Sequence, residues 1–141
     1  MQINITPSRR IMGRLTKGGD LLGALENCCR ELNITLGEVV AIGAVTKARV
    51  GYYDQTAQKY QFLEFNQPLE ILSLTGNVSL KDGKPFVHAH ITLGGAEGQA
   101  LGGHLAEGTV VFAGEFILQE YHSDQTLVRQ LDNATGLFLW A

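Results

Sequence analysis

The stretch LEILSLTGNVSLKDGKPFVHAHITL, residues 69–93, reads as two alternating segments joined by Asp82-Gly83. Asp-Gly between alternating apolar runs is the preferred chemistry of a two-residue type I′ hairpin turn, because both turn positions need positive φ. With that turn, Lys81 pairs with Lys84, Leu80 with Pro85, Asn77 with His88 and Thr75 with His90. On the first strand Leu72, Leu74, Val78 and Leu80 fall on one face, and Ser73, Thr75, Asn77 and Ser79 on the other. On the second, Val87, Ala89, Ile91 and Leu93 alternate with Phe86, His88, His90 and Thr92. The register puts both polar sets on the same face, an agreement that a one-residue slip would destroy. The hairpin therefore predicts an antiparallel sheet with one face on a core and two histidines on the other.

Outward from the hairpin, most of the chain reads as further strands: Arg9–Leu15, Glu38–Tyr53, Tyr60–Phe65, Thr109–Tyr121, Thr126–Leu131 and Leu137–Trp140. Gly43 and Gly51 interrupt the second of these and mark bends or bulges. One segment has helical periodicity. Leu21, Leu22, Leu25, Cys28, Cys29 and Leu32 recur on one face of a 3.6-residue period, with Asp20 or Gly19 as cap and Asn33 suited to a left-handed stop. A second short helix is expected around Gly102–Glu107. The expected fold is α+β, a single domain over residues 1–141 with a largely antiparallel sheet of about seven or eight strands packed with one long helix.

Composition narrows the function classes. The chain has 141 residues, 45% hydrophobic and 18% charged, which suffices for a core without metals or disulfides. Its net charge of −3 argues against strong binding to a phosphate backbone. No apolar stretch is long enough to span a membrane and Met1–Ser8 lacks the order of a signal peptide, so a cytoplasmic location is expected. Cys28 and Cys29 are adjacent, a poor geometry for a structural disulfide and not a metal-binding spacing, and read as small core residues. Arg9, Arg10 and Arg14 read as charges protecting a sheet edge.

His88-Ala89-His90 carries the sharpest chemistry. Side chains two apart on a strand point the same way, so both imidazoles can converge on one ion. His104 follows Gly102-Gly103, and a glycine turn can fold it back over that face. Three neutral imidazoles suit Zn²⁺ or a similar divalent transition metal, with water or a carboxylate as fourth ligand. Glu97, Glu107 and Glu115 are candidate carboxylates, and Thr75 and Asn77 candidate supporting groups. The competing reading is that the histidines simply hydrogen-bond along a polar sheet face. His122 reads as part of a turn beside Ser123-Asp124 and is expected at the surface. The run Gly94–Gly103 lacks the Gly-Lys-Ser/Thr ending of a phosphate cradle and reads as a turn. No G-x-S-x-G elbow supports a serine nucleophile.

Several strings in order, Gly18-Gly19-Asp20-Leu21-Leu22, Ile42-Gly43-Ala44-Val45, Val50-Gly51-Tyr52-Tyr53, residues 69–79 and Gly102-Gly103-His104-Leu105, resemble the PPC (plants and prokaryotes conserved) domain from about Arg9 to Leu131. The resemblance implies an α+β sheet fold assembled as a homotrimer that serves self-association and partner binding. Stand-alone prokaryotic members are commonly labelled predicted DNA-binding proteins, and plant members carry AT-hooks. No Arg-Gly-Arg-Pro core occurs here, and the plant partner motif Gly-Arg-Phe-Glu-Ile corresponds to Gln67, Pro68, Leu69, Glu70 and Ile71. The three histidines resemble prokaryotic rather than plant members. Two functions follow as expectations: a trimeric, zinc-like metal-binding module that presents a surface to a protein or nucleic-acid partner, or a hydrolase-like metalloenzyme with an open three-His site, Glu107 or Glu115 as base and Gly94–Gly103 as lid.

Overall fold

The computed structural model describes residues 1–141. The elements in chain order are β1 (Thr6–Leu15), α1 (Leu21–Glu31), β2 (Gly37–Asp54), β3 (Lys59–Phe65), β4 (Leu69–Lys81), β5 (Lys84–Gly94), β6 (Ala100–Leu105), β7 (Val110–His122), β8 (Arg129–Asp132) and β9 (Leu137–Trp140). Seven strands form one antiparallel sheet in the order β1-β7-β2-β4-β5-β6, with β3 also on β2, while β8 and β9 form a separate hairpin. The long strand β2 makes this possible: its first half pairs β7 and β4, and its second half pairs β3 and, at Val50 and Gly51, β6. The path β2-β4-β5-β6 thus returns to β2 and the sheet curls around its own apolar side, which protects strand edges.

The expectation of an α+β fold with a long helix is corrected. The molecule is 62% strand and 8% helix, a mostly β fold whose one helix has 11 residues. Its apolar period persists for only three turns before Asn33, at φ 55°, leaves helical space. Asp20 caps it, with Oδ1 accepting from Gly23 N at 2.8 Å, and Leu21, Leu25 and Cys29 are buried. The second expected helix, Gly102–Glu107, is instead the end of β6, through Leu105, and the start of the turn that follows it. Its glycines permit close strand contact: a Cβ on Gly103 would lie 2.8 Å from the carbonyl oxygen of Gly51.

The decisive hairpin has the expected register, with Lys81 opposite Lys84, Asn77 opposite His88 and Thr75 opposite His90. Asp82 and Gly83 take φ of 51° and 72°, as a type I′ turn requires. One assignment of sidedness changes. The pairing shifts between Ile71 and Ser73, so Ile71 is buried with Leu74 and Val78 while Leu72 stands 55% exposed on the opposite face. The core beneath is apolar throughout, including Ile34, Val39, Val45, Val50, Leu93, Leu105 and Leu118. Arg9, Arg10 and Arg14 lie on β1 at the sheet edge.

Candidate metal centre

Strand pairings define a row across the outer face of the sheet. Met12 pairs with Ile117, Ile117 with Val40, Val40 with Thr75, Thr75 with His90 and His90 with His104. Directly opposed residues in antiparallel strands share a face, so His90 and His104 necessarily stand together. His88, two residues before His90, joins them from the same side. The ring centroids lie 5.4 Å apart for His88 and His90, 5.0 Å for His88 and His104, and 5.6 Å for His90 and His104.

One ring nitrogen from each histidine lies within 4.8 Å of the other two. Nitrogens on a tetrahedral zinc stand roughly 3.3 Å apart, given bonds of about 2.0–2.1 Å, so small side-chain rotations bring all three onto one ion. His104 Nδ1 is buried and has no hydrogen-bond partner. An unpartnered buried nitrogen is costly, and an ion drawn in by three imidazoles would satisfy it. Burial, followed by the neighbouring His104 and the Arg129 and His90 charges, pushes the His88 pKa down to about 4. Burial, followed by His90 and Arg129, does the same to His104. Both rings are therefore neutral near pH 7, the form that donates a lone pair to a metal. Tyr60 from β3 packs against one side of the group, its ring 5.0 Å from that of His104, while His90 stays exposed.

The structure does not bring the expected carboxylates to this place. The only group of metal-capable side chains is His88, His90 and His104. Glu115 is exposed on β7 opposite Arg14 and Ile42, on the far side of β2 from the histidine strands. Glu107 is exposed in the turn after β6, and its charge acts on Glu26 of the helix. Glu97 is exposed in the tight turn between β5 and β6, closed by Gly95 N donating to Gln99 O at 2.9 Å. Thr75 is exposed in the row beside His90, whereas Asn77 is half-buried and engaged elsewhere. His122 is exposed at the end of β7. Cys28 and Cys29 are free thiols on the helix, and burial raises the Cys29 pKa to about 12, so no thiolate is available there.

Sequence reasoning missed Arg129. It is buried, with 6% of its surface exposed, and comes from the β8–β9 hairpin laid over the end of the histidine face. Its Nε donates to Ser79 Oγ at 3.0 Å, Nη2 to Asn77 Oδ1 at 2.7 Å and Nη1 to Phe138 O at 3.1 Å. Trp140 Nε1 also donates to Ser79 Oγ, at 3.1 Å, which accounts for the complete burial of Ser79 on a face expected to be solvated. The run of serine and asparagine on β4 was the available signal, since a buried polar row needs a donor.

Comparison with known proteins sets this geometry in a family. A metal-containing protein of Archaeoglobus fulgidus is 41% identical, with a TM-score of 0.95 over 100% of this chain and 99% of its own. A plant- and prokaryote-conserved (PPC) protein of Pyrococcus horikoshii is 35% identical, with a TM-score of 0.94 over 100% of this chain and 96% of its own. A proposed DNA-binding protein of Bacteroides thetaiotaomicron is 26% identical, with a TM-score of 0.87 over 97% of this chain and 96% of its own. Among curated proteins, the Bifunctional protein GlmU of a Synechococcus strain is 35% identical over 124 residues, covering 87% of this chain; the chain spans only 18% of that relative's length. The sequence model of the Plants and Prokaryotes Conserved (PCC) domain matches residues 4–122. With the seven-stranded sheet, the order of its motifs and that match, the chain belongs to the PCC domain family.

Proposed function

We propose that the chain is a homotrimeric module that holds one zinc ion, or a similar divalent transition metal, on His88, His90 and His104. The observation that carries this reading is the buried, unpartnered Nδ1 of His104 inside a group of three convergent imidazoles. The donor set suits zinc, because neutral imidazole is a good ligand for it and no hard carboxylate cage surrounds the site. The metal-containing relative from Archaeoglobus fulgidus supports metal binding without naming the element. When bound, zinc supplies a fixed positive centre with a position open to a further ligand. The chain's residues hold and orient it: β5 presents two imidazoles, β6 the third, and Tyr60 packs beside His104.

Self-association is supported by the same outer face. Met12, Val40, Ile42 and Leu72 are 78%, 42%, 59% and 55% exposed and line one continuous depression. A contiguous apolar patch of this kind is suited to burial against another subunit. The hydrolase reading finds less support, since within the chain Glu107 and Glu115 stand away from the histidines and no carboxylate joins their group. The net charge of −3 gives the DNA-binding reading no electrostatic support.

Metal analysis of protein purified under zinc-replete expression tests the proposal. One metal per chain is expected in the wild type, with loss in His88→Ala and His104→Ala. A wild-type protein carrying almost none would remove it.

A further inference from the structure

Arg129 presents an electrostatic problem that the fold itself does not solve. Every one of its hydrogen-bond acceptors is neutral: a serine hydroxyl, an asparagine carbonyl and a main-chain carbonyl. It takes part in none of the ion pairs of the chain, and neither does Lys81. Burial pulls its pKa below the ordinary value, and Tyr60 is the one acidic group acting against that shift. Guanidinium stays charged in proteins, so a nearly buried cation remains without an anion. Such a charge is expensive unless a counter-ion reaches it. Of its five N–H donors, three are occupied, leaving two for another acceptor.

The space beside it is shaped to admit one. Arg129 lines a cleft of about 370 Å³ together with Lys81, Tyr60, His88 and His104, and Phe86 and Phe138 form its apolar walls. The Lys81 ammonium lies 3.8 Å from the Phe138 ring centroid and 5.3 Å from that of Phe86, and the Arg129 guanidinium lies 5.5 Å from Phe86. These rings hold two cations at the wall of a space that contains no carboxylate. A volume of this size admits a small organic molecule rather than a macromolecule. The wall that carries Arg129 and Phe138 also lies beyond the segment matched by the family model, residues 4–122.

We infer that the cleft between the three histidines and the β8–β9 hairpin binds a small molecule through an oxyanion group, carboxylate or phosphate, which Arg129 and Lys81 hold beside the metal. The inference deepens the metal reading and rests on it only for the ligand's second point of contact. Phe86 and Phe138 supply apolar contact to the body of such a ligand. Arg129 sets the position of the oxyanion, because its planar fork matches a carboxylate or phosphate edge.

The test uses full-length ¹⁵N-labelled protein titrated with acetate and, separately, with sulfate as the phosphate-like probe, followed at the backbone amides of Phe86 and Phe138. Chloride at equal ionic strength is the reference. Saturable shifts at both amides are expected, and the probe that binds tighter distinguishes a carboxylate from a phosphate ligand. Arg129→Gln should weaken binding by about tenfold or more, the loss of a charge-assisted hydrogen-bond pair. Should that variant lose the hairpin, seen as loss of the Trp140 side-chain resonance, Lys81→Gln serves instead and should weaken binding by about threefold or more. Unsaturable shifts that chloride reproduces, or equal affinity in the folded variant and the wild type, would overturn the inference. Metal content is measured on the same samples. One zinc per chain without saturable anion binding overturns the inference and leaves the metal reading standing. Arg129-dependent binding in protein that takes up no zinc supports the cleft and removes the metal.

Discussion

Glu120 of β7 accepts from Arg9 Nε at 2.7 Å and from Arg9 Nη2 at 2.9 Å, and the same Nη2 donates to the Leu32 carbonyl at 2.8 Å. One guanidinium thus ties the edge strand, its neighbour and the end of the helix. The hydrogen bond from Arg9 is the largest cause that pulls the Glu120 pKa down to about 2. A carboxyl whose pKa is lower when folded stabilises the fold above its unfolded pKa, near 4.3, and that contribution disappears as pH falls toward 2. Glu120→Gln should therefore lower the melting temperature by roughly 2–4 °C at pH 7, with the difference from wild type shrinking as the pH approaches 2. Thermal melts at pH 7, 4 and 2.5 check this; a difference independent of pH would contradict it. At this scale the sequence was legible where residue type and spacing coincide, as in His88-Ala89-His90. Arg129 was not, because a lone arginine on a four-residue strand has no local pattern, and its importance comes from Ser79 and Asn77, fifty or more positions away.

Among the elements, the short helix depends on a residue with two tasks. Asp20 Oδ1 caps α1 at Gly23 N, and Oδ2 accepts from Gly108 N at 2.6 Å, pinning the turn that follows β6. Asp20→Ala should cost about 1–2 kcal/mol, a cap together with a loop hydrogen bond, read as a shift in urea midpoint. Asp20→Asn, which keeps an acceptor at the cap, should recover part of it. The β4–β5 hairpin was legible in register from the turn back to Ser73, because turn chemistry and alternation on both strands specify the same pairing there. The bulge at Leu72 was not, since an inserted residue in an apolar run leaves the alternation looking unbroken until the partner strand is known. Glycine obscured β6: Leu101-Gly102-Gly103-His104 has low strand propensity, and the pairing with β5 and β2 that makes it a strand is a tertiary effect. The helix was placed correctly but its weight in the fold was overstated, because a periodic pattern says nothing about how many strands surround it.

Over the whole molecule, the outer face joins two properties that sequence alone kept apart. The row from Met12 to His104 runs without interruption from an exposed apolar patch to the histidine group. Ile42→Glu, at the centre of the patch and away from the histidines, should convert a trimer to monomers in sedimentation velocity while leaving metal content unchanged. A wild type that sediments as a monomer would contradict the trimer. No helix of the chain is long and apolar enough to cross a membrane.

The proposed function stands or falls on whether His88, His90 and His104 share one metal ion. X-ray absorption at the zinc edge on purified, zinc-loaded protein measures this directly. The spectrum should show imidazole scattering from three rings with Zn–N distances of about 2.0–2.1 Å. A spectrum of fully hydrated zinc, or one dominated by sulfur at about 2.3 Å, would contradict it.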